Sequence, residues 1–216
     1  MNLFSFTKHS WNYSPLRSFE YEELPNVKLK GKILDLGGGK RTSYLHLLRG
    51  EFSLVSLNID LAVEPTHVAD ITKKFPLKAN TFDGAISLNT FEHILDFDTA
   101  LQETHRVLKP ASQFAFCIPW LHQLHGSPED YWRYSPSALA GILKRHGFAV
   151  KKIVPLGKGI FVARYSLLFG AYPRVIRPLF ACFAWKMDWI LSALSKRYRK
   201  ASGNYALGYF VYAVKR

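Results

Sequence analysis

The stretch "KILDLGGGK" (residues 32–40) decides the fold of this 216-residue chain. Its apolar half reads as a buried strand, and the strand runs into three consecutive glycines, Gly37, Gly38 and Gly39. Glycine has no Cβ, so a glycine-rich turn at a strand's end lets backbone approach a ligand or another segment closely. The following "TSYLHLLRG" (42–50) predicts a short helix, with Thr42 as its cap and Gly50 as its stop. A dinucleotide fingerprint would need a glycine at position 42. Thr42 stands there, which speaks against a nicotinamide cofactor.

Working outward, short apolar runs alternate with helical patterns. "SLVSLNID" (53–60), "THVAD" (66–70), "FDGAISLN" (82–89), "SQFAFCIP" (112–119), "FAVKKIVPL" (148–156) and "YALGYFVYAVKR" (205–216) read as further strands. In residues 97–108, Ala100, Leu101, Thr104, Val107 and Leu108 share one helical face, and Pro110 stops that helix. A second helix lies in "SPSALAGILKRHGF", between the Ser135-Pro136 start and the Gly147 stop. Strand alternating with helix predicts an α/β fold with a mostly parallel sheet. The reading is one domain: a leader (1–30), a core (31–156), a basic apolar insertion (157–203) and a last strand (204–216).

Composition bounds the partners. With 48% hydrophobic and 21% charged residues the chain can bury a good core, and its net charge of +13 favours an anionic partner. Cys117 and Cys182 are too few for a disulfide framework and read as buried thiols in a reducing compartment. "MNLFSFTKHSWNYSP" lacks the pattern of a secretory signal, and no run reaches the ~20 apolar residues of a membrane span. The expected location is cytoplasmic, with any membrane contact peripheral, on the inner face.

Two acids stand at strand tips. Asp60 is placed to accept from a ribose hydroxyl pair, and Asp70 from an adenine amino group with Ile71 against the base. An acid after a strand also serves as an ordinary cap or turn former.

The series "ILDLGGGK", "LNID", "VADI", "FDGAISLNTFEHI" and "ALQETHRVLKPASQFAFCIP" resembles the class I S-adenosylmethionine-dependent methyltransferases. The likeness covers roughly residues 30–156 and is to the type 11-like branch with an "EH" after the fourth strand. It implies a Rossmann-like seven-stranded sheet with helices on both faces, and S-adenosylmethionine as cofactor. It also implies that Asp35, Gly37 and Gly39 hold the methionine part, Asp60 the ribose, and Asp70 and Ile71 the adenine, with Asn89 beside the sulfonium. Two departures stand out: Lys40-Arg41 replaces the usual "TG", and Ala111-Ser112 replaces the glycines of "KPGG".

Methyl transfer from a sulfonium needs alignment above all, and a base only where the acceptor is a hydroxyl. His125, with His93 second, is the candidate base. A metal shared by His93, His122 and His125 is not expected, because Pro119 and "GSP" disfavour a helix there and no acid is fixed as a further ligand. His125 opens "HGSPEDYWRYSP" (125–136), whose Tyr131 and Trp132 offer flat surface for a sugar ring. Asp130 and Arg133 offer forked hydrogen bonds to hydroxyls or phosphate, and His122 lies just upstream. The competing reading is a loop held by its own Arg-carboxylate pair and aromatic packing. The stretch also resembles a motif of methyltransferases associated with bacterial surface-polysaccharide synthesis.

Between residues 158 and 200, nine Lys and Arg accompany a single acid, Asp188. Phe180, Phe183, Met187, Ile190, Leu191 and Leu194 fall on one helical face flanked by Trp185 and Trp189, a pattern suited to an anionic membrane interface. A helical lid or a dimer contact is the plainer alternative. Nucleic acid is disfavoured, since the basic residues are interleaved with large aliphatics. The resulting expectation is an enzyme that O-methylates a glycan or lipid-linked saccharide at a membrane surface. The alternatives are a lipid- or quinone-like acceptor, RNA, or a catalytically silent binding module.

Overall fold

The computed structural model describes residues 2–126 and 128–216; Ser127 of the polar-aromatic stretch lies outside them. The chain divides into two compact units. One comprises Met1–Glu23, Pro119–Leu124 and Pro155–Tyr209, the other Leu24–Ile118, His125–Val154 and Phe210–Arg216.

Helices α1 (Leu3–His9) and α2 (Pro15–Glu23) fill the leader, which carried no helical expectation. Asn2 caps α1 by accepting from the Ser5 N–H, and Pro15 opens α2, where its missing N–H costs nothing. Seven strands follow: β1 (Lys28–Leu36), β2 (Arg49–Asn58), β3 (His67–Val68), β4 (Phe82–Leu88), β5 (Leu108–Pro119), β6 (Phe148–Leu156) and β7 (Gly208–Lys215). Their order is β3-β2-β1-β4-β5-β7-β6. The pairs β1–β2, β1–β4, β2–β3 and β4–β5 are parallel. At the far edge the Leu207 N–H donates to the Leu156 carbonyl and the Arg216 N–H to the Gly147 carbonyl, a pairing that only an antiparallel β6–β7 hairpin makes. This is the expected Rossmann-like sheet.

Helix α3 (Phe97–Val107) is capped by Asp96, and α4 (Pro136–Arg145) by Ser135, whose side chain accepts from the Ala138 N–H. Phe82, Phe114, Ile33, Leu36, Leu57 and Ile86 are fully buried, each contributing roughly 1.5–3 kcal/mol by the apolar surface it removes from water.

The helix expected over 42–50 does not form; only a single 3-10 turn, Leu45–Leu47, remains, and β2 already begins at Arg49. The backbone donors of the glycine turn go elsewhere. Lys40 N–H bonds the Glu64 carbonyl and Arg41 N–H the Val63 carbonyl. Thr42 does not cap a helix but turns its hydroxyl back onto the Gly39 carbonyl. The third strand shrinks from 66–70 to two residues, and β5 starts four residues early through Ala111, which adopts φ 61 where the family's glycine would sit without strain.

In the other unit lie α5 (Ile160–Leu168), α6 (Arg177–Leu194) and α7 (Lys196–Ser202). The face of α6 turned inward is its small one, with Ala181, Ala184 and Asp188 buried, while Trp185 packs on Phe6 and Phe19. Asp188 accepts from the Phe161 and Val162 N–H groups at the start of α5 and from the Tyr198 hydroxyl. Leu179, Phe183, Ile190 and Leu194 stay outside; Leu194 is 79% exposed. Among the described residues, no helix is long and apolar enough to cross a membrane.

Candidate active site

The strand order reverses between β1 and β4, and in open α/β sheets ligands bind beyond the carboxyl ends of strands at such a point. A crevice of about 170 Å³ opens there, lined by Gly37, Asn58, Ile59, Asp70, Ile71 and Asn89 among others. A larger cavity of about 330 Å³ lies at the amino ends of β1 and β4, with Lys28, Lys30 and Asp83, the end where this architecture does not bind ligands.

Each wall of the crevice has a local cause. Gly37, at φ 86, ends β1; a Cβ there would strike the Thr90 hydroxyl. The Asn58 amide donates to the Gly37 carbonyl at 2.6 Å and fixes that turn. Asn89 closes β4 at φ 50, a left-handed conformation that asparagine tolerates better than most residues, and its N–H bonds the Cys117 carbonyl. Asp70 accepts from the Thr72 hydroxyl and N–H, and the hydroxyl in particular holds its carboxyl below the usual range. Asp35 is fully buried; burial pushes its carboxyl up to about 7, against the opposing hydrogen bond from Tyr44.

Beside the crevice stands a second cluster, at the turn Phe91–His93 after β4. Glu92 is 0% exposed; its Oε1 lies 3.7 Å from His93 Nε2 and 3.8 Å from His125 Nε2. The two imidazoles meet edge to face, 4.9 Å between centroids. The loop that carries His125 is tied down at several points. Tyr131 and Trp132 N–H groups donate to the Glu92 carbonyl, and the Trp132 indole N–H to the Ile94 carbonyl. Arg133 forks onto both oxygens of Asp130, and that ion pair holds the Asp130 carboxyl well below the usual carboxylate range.

Residues 34–116 match the family described as "Methyltransferase domain". They carry the turn after β1, Asp70 of the crevice, and Glu92 and His93 of the second cluster, but not His125. Over that stretch the chain is similar to methyltransferase domains. The demethylmenaquinone methyltransferase of Streptomyces avermitilis is 35% identical over 95 residues, 40% of this chain, and the chain spans 41% of that relative's length. A sarcosine dimethylglycine methyltransferase from Galdieria sulphuraria, described as putative, has the same fold, with a TM-score of 0.57 at 18% identity over 93% of this chain and 86% of that one. So does the [4+2]-cyclase SpnF, with a TM-score of 0.58 at 16% identity over 93% and 80%. A cyclase on this fold is a reminder that the reaction is decided at the site.

The crevice residues fit an adenosyl group: Asp70 supplies an acceptor-only carboxylate, and Ile59 and Ile71 supply apolar walls for a base. At about 170 Å³ the crevice is smaller than the ~300–1,000 Å³ usual for ligand sites, and it is open to solvent on one side.

Several predicted site residues stand differently from their expected roles. Asp60 is exposed, and its side chain caps the turn Leu61–Val63 by accepting from the Ala62 N–H. Gly39 leaves room for the Val63 carbonyl, and Gly38 for Asp35 and Tyr44, so these two glycines serve the chain's own close packing. Asp130 and Arg133, expected to face hydroxyls or phosphate, are bonded to each other. Trp132, expected to stack on a sugar, packs against Phe97 and Tyr134. Of residues 130–134, Tyr131 alone stays exposed. His122 lies in the helical unit, its Nδ1 at 3.0 Å from the Gln123 carbonyl. Two residues of the domain escaped the sequence reading: Asn58 and Glu92. The "EH" pair after the fourth strand was the available signal for the second.

Proposed function

We propose that the protein transfers the methyl group of S-adenosylmethionine to a hydroxyl of a glycan or lipid-linked saccharide intermediate, working against the inner face of an anionic membrane. The observation that carries this reading is the pair of imidazoles beside the crevice, both turned toward buried Glu92. When bound, the cofactor supplies an activated methyl, so the chain's own residues have to orient the acceptor, exclude water and ease removal of a hydroxyl proton. His125 and His93 are the groups for that last task, and the bonds from Tyr131 and Trp132 to Glu92 hold their loop in place. Asp70 and Ile71 orient the adenine, with Asn89 at the reacting end. The exposed apolar face of α6 and its basic neighbours support membrane contact.

A second reading takes a quinone-like acceptor. The local identity with demethylmenaquinone methyltransferase favours it, and the same apolar surface would serve such a substrate.

The test is transfer of labelled methyl from S-adenosylmethionine into a membrane extract, with products sorted into glycan, lipid and RNA fractions. Label in a saccharide fraction supports the first reading, and label in free quinone supports the second. No transfer into any fraction, with cofactor binding intact, supports a silent binding module.

A further inference from the structure

We propose that Glu92, His93 and His125 form a binding site for a divalent transition-metal ion, with Zn²⁺ the preferred occupant. One ligand atom from each residue lies within 4.8 Å of the others. His93 Nδ1 sits 2.5 Å from the Glu129 carbonyl, which can only accept, so Nδ1 bears the hydrogen and a neutral ring offers Nε2 as its lone pair. His125 Nδ1 sits 3.3 Å from the Asp130 carboxylate, also an acceptor, so the neutral ring likewise offers its Nε2. Both lone pairs point at the same carboxylate oxygen of a residue that is 0% exposed. This convergence of two ring nitrogens on one buried carboxylate oxygen suits a cation held between them, which would displace any proton from either Nε2.

The outer partners complete the pattern. A metal-ligating histidine donates its second ring N–H to a backbone carbonyl or a carboxylate, and here one ring has each. Arg133 fixes the Asp130 carboxylate in turn. Tetrahedral ligands about 2.1 Å from a metal stand roughly 3.4 Å apart, so the two 3.7 and 3.8 Å spacings to Glu92 need only a slight contraction, while the spacing between the two rings lies within 4.8 Å and closes as they turn toward the ion. Two imidazoles and one carboxylate suit Zn²⁺ rather than Mg²⁺, which prefers oxygen ligands, and three protein ligands leave a fourth position open.

What the ion does rests on the reading of this site as the acceptor side of methyl transfer. An acceptor hydroxyl in the open position would ionise more easily, giving its proton to water. Its oxygen then forms the C–O bond as the S–CH₃ bond breaks, and sulfur keeps that electron pair as a neutral thioether. His125 and His93 therefore ease proton removal through the ion.

The test uses the full chain without an affinity tag. Co²⁺ is added as a spectroscopic probe, followed by Zn²⁺ or Mg²⁺ as competitor. One Co²⁺ per chain is expected, with visible absorption lost on adding Zn²⁺ and unchanged by Mg²⁺. His125→Ala and His93→Ala should each weaken Co²⁺ binding by at least tenfold, and Asp130→Asn by about 10–100-fold. S-adenosylhomocysteine titration of the same variants checks that they are folded. Absence of stoichiometric Co²⁺ binding, or equal binding in wild type and both histidine variants, overturns the site. Co²⁺ binding without methyl transfer would instead sink the proposed reaction and leave the site standing.

Discussion

The Tyr44 hydroxyl donates to both carboxylate oxygens of Asp35, at 2.9 and 2.8 Å, inside the sheet beneath the glycine turn. This contact replaces the helix that the sequence predicts there, and it leaves a carboxyl group with no water. Burial raises that carboxyl from 3.8 to about 7. Between those values the folded protein holds a proton that the unfolded chain has released, so stability falls as pH rises through that window and levels off above about 7. Asp35→Asn should remove that component, worth at most about 4 kcal/mol. Urea unfolding of wild type and variant at pH 5 and pH 8 measures it: the wild type should lose more stability than the variant. Equal losses would mean the carboxyl is not so perturbed.

Crevice residues divide by what they touch. Asp70→Ala should weaken S-adenosylhomocysteine binding at least tenfold in calorimetry. Asp60→Ala removes a cap, for which a loss of ~0.5–2 kcal/mol in stability is typical. If Asp60 also reaches the ribose as the family resemblance implies, the same titration will register it. Unchanged affinity in Asp70→Ala would count against the adenine assignment.

The loop holding His125 depends on a planar fork. Lys cannot make the two parallel bonds that Arg133 gives Asp130, and hydrogen bonds to charged groups contribute about 1.5–3 kcal/mol. Arg133→Lys is expected to lower kcat/KM for the acceptor with cofactor affinity unaltered. A variant with wild-type acceptor kinetics would show that the fork does not control the loop.

Outer residues of α6 offer the cleanest test of membrane contact, because removing exposed side chains leaves the fold intact. Leu179→Ser with Leu194→Ser should keep wild-type unfolding and reduce flotation with anionic vesicles by about tenfold or more. Added salt should weaken what binding remains. Undiminished flotation would refute a role for this face.

How far the sequence could be read follows from the range of the forces involved. Strands and helices with strong periodicity, such as β4, α3 and β6, were legible because burial imposes the pattern residue by residue. The segment 42–48 was not, since the N–H groups of Lys40 and Arg41 just before it go to Glu64 and Val63, and the Tyr44 hydroxyl goes to Asp35, all partners outside the segment. For the same reason Asp130 and Arg133 read as ligand groups until their mutual pairing was visible. In helix α6 the sequence pattern marks the large apolar face, and the structure leaves Phe183, Ile190 and Leu194 of it exposed; the buried face of two alanines and an aspartate carries no such pattern, because Trp185 already fills the space beside Phe6. Glu92 was overlooked because nothing local marks a carboxylate as buried.

The interior position of Asp188 has a consequence for how the protein's location could be controlled. With the one acid of residues 158–200 committed to the start of α5, that segment shows solvent a single sign of charge. Lysine and arginine do not titrate near neutral pH. Residence on a membrane would then follow the headgroup composition and the ionic strength around it, and would be indifferent to modest acidification.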